Sequence, residues 1–407
     1  MEKTVNKGKL KVSILSLSLL TVMAGAAMAP ALGVIREYFA NEKTLFVQMI
    51  ISMPAVFIFL TSFVFPKLAA RLRARTLLMI GLAFYTIGGC VAGIFSSIWL
   101  VLLMRALVGI GVGIIMPLST GLLAFYFDPQ EQEGLMGWSS AMNNMGGVIA
   151  TLISGALATI SWRVSFLVYL MGLISIVLCA AFMPNDKIQQ EAAPQEKTRG
   201  GAEKTGTRPA REHSEPELGT AAIFKANYVY IIAMFLEMSA FFIYPANFAM
   251  VTARAGVIPE NLTAIIMATM DLVAFFGGML FVKVKAAAGG HTKFVSPILL
   301  VVGYILLGVV GGWFGVIAGS VCVGFANGEG IPLIISEASK KMGRLAGTTV
   351  MPLISAALYI AQFASPFITS GVTAIAGDAV NMPYYWGAVL SVLFLLWSAL
   401  IPSDSKK

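Results

Sequence analysis

The chain has 407 residues, 58% of them hydrophobic and only 12% charged, with a formal net charge of +8 and a mean hydropathy of +0.84. That composition excludes a soluble globular protein and a disordered one, and leaves a polytopic membrane protein embedded in a lipid bilayer. The positive balance is accounted for by membrane topology below, so no nucleic-acid partner is expected.

Apolar runs long enough to cross a bilayer, about 20 residues each, fall at 12–34, 44–66, 77–95, 98–127, 134–160 and 164–183 in the first half. In the second half they fall at 226–251, 262–282, 294–310, 313–335, 346–372 and 384–401, so twelve spans are predicted. The first thirty residues imitate a secretory signal, with Lys3, Lys7, Lys9 and Lys11 ahead of an apolar stretch. The apolar run continues through Pro30 to Ile35 and more spans follow, so a retained first helix is the simpler reading. Placing both termini in the cytoplasm puts all basic residues there except Arg36, Lys43, Arg163 and Arg254 outside and Arg105 within a span, as the positive-inside rule requires. The expected location is the inner (cytoplasmic) membrane. Cys90, Cys179 and Cys322 all fall within spans, and neither a disulfide framework nor a metal motif is visible.

Hydrophobicity collapses between 184 and 222 into a stretch rich in Glu, Lys, Arg, Pro and Gly, the composition of a flexible linker. The chain therefore divides into a six-helix bundle over 1–183, a cytoplasmic linker over 184–222 and a second six-helix bundle over 223–407. The two bundles repeat weakly. Phe65-Pro66-Lys67 returns as Phe281-Val282-Lys283 and Ser154-Gly155 as Ser370-Gly371, 216 positions on; Val108-Gly109 with Pro117-Leu118 returns as Val323-Gly324 with Pro332-Leu333, 215 positions on. Such agreement indicates a duplicated six-helix unit, the parallel-repeat plan in which two bundles rock about a site near the midplane.

The repeat isolates three unusual residues. Glu237, Asp271 and Glu329 lie inside apolar runs of the second half, where the first half has Val22, Ala55 and Ile114. A charge at the bilayer centre costs at least ~2.5–3.5 kcal/mol on insertion scales, and the scaffold accepts an apolar residue at each equivalent position. These acids are therefore read as functional. Desolvation disfavours the ionised form of a carboxyl, so such groups can load and release protons as their surroundings alternate. Helical periodicity groups Glu237, Phe241 and Tyr244 on one face of the seventh span, and Met267, Asp271 and Phe275 on one face of the eighth. Arg105, the one membrane cation, corresponds to Ser320; it is either an anchor for an anionic group or a strut bonded to neighbouring backbone. Asn143 and Gln362 are further candidate substrate contacts, with interhelical hydrogen bonding an equal alternative.

Arg105-Ala-Leu-Val-Gly109-Ile-Gly111-Val-Gly113, Ser161-Trp162-Arg163 leading to Phe166, and Tyr359-Ile-Ala-Gln362-Phe-Ala-Ser365-Pro366 resemble signatures of the major facilitator superfamily, most closely its proton-coupled drug efflux members. The resemblance covers nearly the whole chain apart from the termini and linker. It implies an all-α polytopic membrane protein of the major facilitator fold, working as a monomer without cofactors, and a transporter rather than an enzyme. It also implies a conformational lock in the loop after the second span. There Arg71 and Arg75 stand where the family has basic residues, Ala70 replaces the usual Asp, and Asp128 is placed to pair with either arginine. A second departure is Ala150-Thr151, which stands where proton-coupled antiporters of the family carry Gly-Pro.

With three membrane carboxylates and no membrane Lys or Arg in the second half, the cavity should favour lipophilic or cationic small molecules. The leading expectation is a proton-coupled exporter working by alternating access. The alternative is a proton-coupled symporter taking up a small organic solute or organic anion, with Arg105 as its anchor. No nucleophile motif, phosphate loop or metal cluster supports an enzyme.

Overall fold

The computed structural model describes residues 7–184, 220–342, 350–377 and 379–401. Most of the expected linker, and Lys3 of the signal-like segment, lie outside the described residues. Among the described residues there is no strand, and the helices follow the apolar runs in order. In the first half they are α1 Lys7–Ala26, α2 Thr44–Arg71, α3 Ala74–Val91, α4 Ile98–Tyr126, α5 Pro129–Ala158 and α6 Trp162–Phe182. In the second they are α7 Thr220–Ala255, α8 Glu260–Ala288, α9 Val295–Ile305, α10 Gly312–Met342, α11 Met351–Ala376 and α12 Met382–Ser398. All backbone polar groups of a helix are paired within it, which is why apolar runs in a bilayer take this form.

Several helices exceed their apolar runs. α7 begins at Thr220, within the segment expected to be linker, and α5 begins at Pro129, because helical hydrogen bonding continues past the point where hydropathy falls. The first span differs from its expected continuity: α1 ends at Ala26, a turn covers Ala27–Ala31, and a short helix runs over Leu32–Tyr38. Pro30 sits in that turn and has no N–H to offer a continuing helix. α9 ends through a π-helical turn at Leu306–Val310 into Gly311 and Gly312, both at φ +59°, a conformation that favours glycine.

The glycine run of α4 brings three helices together. Gly109 packs on the Pro54 carbonyl and Gly113 on Thr61, both of α2, while Gly111 lies against the Gly81 carbonyl of α3. The signature Trp162-Arg163 also proves structural. Arg163 donates to the carbonyls of Gly93, Ile94 and Phe95 at 3.0–3.3 Å and to Tyr38 Oη at 3.0 Å, and its guanidinium stacks on Trp162 at 4.5 Å. It thereby ties the end of the short Leu32–Tyr38 helix, the segment after α3 and the start of α6 together with one delocalised cation.

Equivalent contacts recur across the halves. Tyr85 of α3 and Tyr169 of α6 form an edge-to-face pair at 5.3 Å, and Tyr169 donates to the Ala24 carbonyl at 3.1 Å. In the second half Tyr304 faces Tyr384 at 6.3 Å and donates to the Ala240 carbonyl at 2.5 Å.

The halves meet along two seams, α5 against α8 and α2 against α11. Toward the end away from the chain termini the two halves close tightly, through these seams and through contacts with α7. There Gly33 packs on the Ala249 carbonyl, Gly155 on Ala264, and Gln48 Nε2 donates to Asn247 Oδ1 at 2.6 Å.

Candidate functional site: a central cavity between the halves

A cavity of about 310 Å³ lies between the halves, walled by α1, α2, α4 and α5 on one side and α7, α8, α10 and α11 on the other. Its surface is mainly apolar, with Ile51, Pro54, Val112, Phe241, Met267 and Met270 among the lining residues. Polar groups are few: Thr21, Asn143, Asn144, Thr151, Asn327, Tyr359 and Gln362. One charged residue, Asp271, lines it, and no Lys, Arg or His does so among the described residues. Small-molecule sites share this plan of apolar walls with a few placed polar groups.

Asp271 reaches across the seam. Its Oδ2 accepts from Thr151 Oγ1 of α5 at 3.2 Å. Gly147, one turn earlier on α5, lies beside the same carboxylate, and a Cβ there would be 3.8 Å from Oδ2. Thr151 is thus a partner of Asp271 that periodicity alone does not reveal, and the available signal was its place where proton-coupled antiporters of the family carry Gly-Pro. On the facing wall Thr21 of α1 donates to Asn143 Oδ1, which orients that amide along the cavity. Gly25 lets Gln362 of α11 come close to α1, since a Cβ there would lie 3.2 Å from its Nε2. Tyr359 Oη lies 3.0 Å from Met116 Sδ, a second contact between the halves on the cavity wall.

The predicted site residues separate into two sets. Asp271, Phe241, Met267, Asn143 and Gln362 come together on the cavity. Arg105, Tyr244, Phe275, Glu237 and Glu329 are not part of its lining. Arg105 is 0% exposed inside the first half, where Nε donates to Ile50 O at 2.7 Å, Nη1 to Tyr169 Oη at 2.6 Å and Nη2 to Ala24 O. Of the two readings open to Arg105, substrate anchor and strut, this geometry is that of a strut joining α4 to α1, α2 and α6, since an arginine in hydrocarbon takes the nearest carbonyls as acceptors. Tyr244 likewise turns into the second half, donating to Ser320 Oγ at 2.7 Å and stacking on Phe248 at 4.5 Å. Ser320 is the repeat partner of Arg105, so two hydroxyls occupy the part of the second half that a guanidinium spans in the first.

Glu237 and Glu329 sit behind the cavity. Glu237 is 0% exposed, and its Oε1 accepts from Ser296 Oγ at 3.2 Å while Oε2 has no partner among the described residues. Glu329 is 2% exposed, with neither carboxylate oxygen partnered among the described residues. α10 meets the Glu237 carboxylate at Gly330, where a Cβ would overlap it. Gly330→Ala is accordingly expected to destabilise the protein by about 1–3 kcal/mol, the usual range for overpacking, unless Glu237 is shortened too. Thermal unfolding in detergent of Gly330→Ala alone and combined with Glu237→Ala checks this, the double variant recovering most of the loss.

At the end bearing the termini, Asp128 lies 4.0 Å from Lys7 Nζ, and Arg75 donates to the Ala180 carbonyl. Arg71 is exposed. The carboxylate expected to meet Arg71 or Arg75 therefore faces α1 in this conformation. In the second half Glu337 Oε1 bonds Lys285 at 2.5 Å and Lys340 at 3.1 Å, joining α8 to α10.

Among the described residues, twelve helices in two halves around a shared, nearly uncharged cavity make a multi-pass membrane protein with the architecture of a transporter. A Major Facilitator Superfamily profile matches residues 14–366, and the chain belongs to that family. It is 25% identical over 270 residues to Multidrug resistance protein 3 of Bacillus subtilis, covering 62% of this chain and 51% of that protein. It is 25% identical over 177 residues to Quinolone resistance protein NorA of Staphylococcus aureus, covering 43% and 42%. The chain spans about half the length of the curated relatives it matches. Among solved structures it resembles a bacterial homolog of the human lysosomal transporter Spinster, in an inward-facing and unoccupied conformation, at TM-score 0.70 and 16% identity, covering 98% of this chain and 97% of that one. It also resembles the nucleoside transporter NupG at TM-score 0.73 and 12% identity, covering 96% and 98%. At these identities the structural likeness speaks for the fold.

Proposed function

We propose that the protein is a proton-coupled secondary transporter that exports lipophilic or cationic small molecules from a bacterial-type cell by alternating access. The observation that carries this reading is Asp271, one carboxylate on an otherwise uncharged and largely apolar cavity, held by a donor from the opposite half. Such a group can hold a proton or a bound cation, and one charge site shared by two ligands links the movement of one to the other. Phe241 and Met267 supply a polarisable wall that suits a lipophilic cation. The names of the curated relatives, multidrug and quinolone resistance proteins, support the export direction. Glu237 and Glu329 are further proton carriers in this reading, since both carboxyls lie out of water with few donors and a proton is their simplest counter-charge. For the alternative, uptake of a small organic solute or organic anion, Ala150-Thr151 in place of Gly-Pro still speaks, whereas Arg105, enclosed by three acceptors, supports it less.

We further propose that both termini are cytoplasmic, that the protein resides in the cell membrane as a monomer, and that Arg71, Arg75 and Asp128 form their lock in the alternate conformation, when the ends near the termini close. The test is proton flux in proteoliposomes carrying a pH-sensitive dye, challenged with lipophilic cations and with small carboxylates. Proton movement opposite to an added cation is expected; movement alongside a carboxylate would overturn the proposal.

A further inference from the structure

A second chamber, of about 340 Å³, lies beyond the tight end of the seams. Its rim carries exposed Lys43, Thr44 and Arg254, and its floor is made by buried Gln48 and Asn247. The floor is also the roof of the central cavity: Ile51, one turn from Gln48 on α2, and Pro245, two residues before Asn247 on α7, line the cavity below. One hydrogen bond closes this partition from opposite halves, Gln48 Nε2 to Asn247 Oδ1 at 2.6 Å, with both residues 2% exposed. Asn247 is fixed from its own helix by Nδ2 donating to Ile243 O at 2.8 Å, while Gln48 Oε1 is buried without a partner among the described residues. A buried amide left half-satisfied is a weak point in a packed seam.

We propose that this chamber is a second compartment of the transport path, that it takes the transported molecule after the central cavity, and that the Gln48–Asn247 bond is the latch between the two. The chamber differs from the cavity in charge. Among the described residues, Arg36, Lys43 and Arg254 line it with one acid, Glu42, and Arg36 is pinned at the rim by the carbonyls of Phe39, Ala40 and Glu42 at 2.8–3.1 Å. A net positive vestibule admits neutral and anionic groups and discourages the return of a cation. Molecules reaching it from the Asp271 cavity therefore meet three cationic side chains and one carboxylate, Glu42, among the described residues. The latch rests only on the transporter fold, whereas this directional effect rests also on the cation-export reading.

Cysteine accessibility tests the latch without substrate or proton. In a background with Cys90, Cys179 and Cys322 replaced, Ser370→Cys reports on the chamber and Asn144→Cys on the central cavity. Each is labelled with a membrane-impermeant maleimide added on the chamber side. Ser370→Cys is expected to react in every variant, which also verifies folding. Asn144→Cys is expected to react slowly, and roughly three- to five-fold faster when Gln48→Ala or Asn247→Ala is added, the population shift that loss of one net hydrogen bond produces. An unreactive Ser370→Cys, or an Asn144→Cys rate unmoved by both alanine variants, would overturn the proposal. Either result leaves the direction and coupling of transport to be judged separately by the flux assay.

Discussion

Asp271→Asn is expected to reduce proton-coupled flux in proteoliposomes to the level of empty vesicles while leaving expression and helical content unchanged. The substitution preserves size and the ability to accept from Thr151, whose Oγ1 lies 3.2 Å from Oδ2, and removes only the exchangeable charge. No other charged residue on the cavity can take its place among the described residues. The informative comparison is binding. A neutral lipophilic compound should bind the variant about as well as the parent, because the apolar walls are untouched, whereas a cation should bind it more weakly. Retention of proton flux in Asp271→Asn would transfer the coupling role to Glu237 and Glu329, and parallel measurements on Glu237→Gln would show it. Thr151→Val gives a graded version of the same experiment, losing one donor to the carboxylate without touching its charge. Its expected effect is a change in the pH dependence of flux with the maximal rate largely retained.

Arg105→Ala is expected to act on stability instead. The guanidinium is fully enclosed and bonds α1, α2 and α6 at once, so its removal leaves a cavity and takes away the donor to the Ile50 carbonyl, whose helical partner four residues on, Pro54, has no N–H. Large-to-small core changes cost about 2–5 kcal/mol, and thermal unfolding in detergent should fall accordingly, with or without substrate. Arg105→Lys is not a mild change here. One ammonium on a flexible stem cannot reproduce a planar fork aimed at three acceptors, so only part of the loss should be recovered. If Arg105→Ala instead unfolded normally but lost binding of small carboxylates, the strut would be the wrong account and an anion site the right one.

These two residues show what the sequence can and cannot carry. Hydropathy located the spans because every backbone group must be paired within a helix at membrane depth, and the repeat made Glu237, Asp271 and Glu329 stand out against Val22, Ala55 and Ile114. Periodicity placed Met267, Asp271 and Phe275 on one face of α8, and the first two line the cavity whereas Phe275 does not. The same reasoning assigned Tyr244 to the cavity, yet it bonds Ser320 inside its own half. A helical face can be grouped from sequence, but the direction in which the helix presents it depends on neighbours far away in the chain. The acceptors of Arg105 show this well: they come from α1, α2 and α6, and no local pattern announces them. The break in the first span was readable in principle from Pro30, which apolar continuity masked.

The packing of α8 on α10 has a consequence for how the transporter moves. Gly324 and Gly328 of α10 press directly on the carbonyls of Met270 and Ala274 of α8, and the Lys285–Glu337 ion pair joins the same two helices near the end bearing the termini. Helices in such intimate backbone contact cannot slide without collision. Asp271 and Glu329 are therefore expected to travel together as passengers on one plank, with the spacing between them held as the halves rock. Spin labels placed on the outer faces of α8 and α10 should keep one narrow distance distribution through turnover, while a pair spanning α8 and α5 should broaden into two.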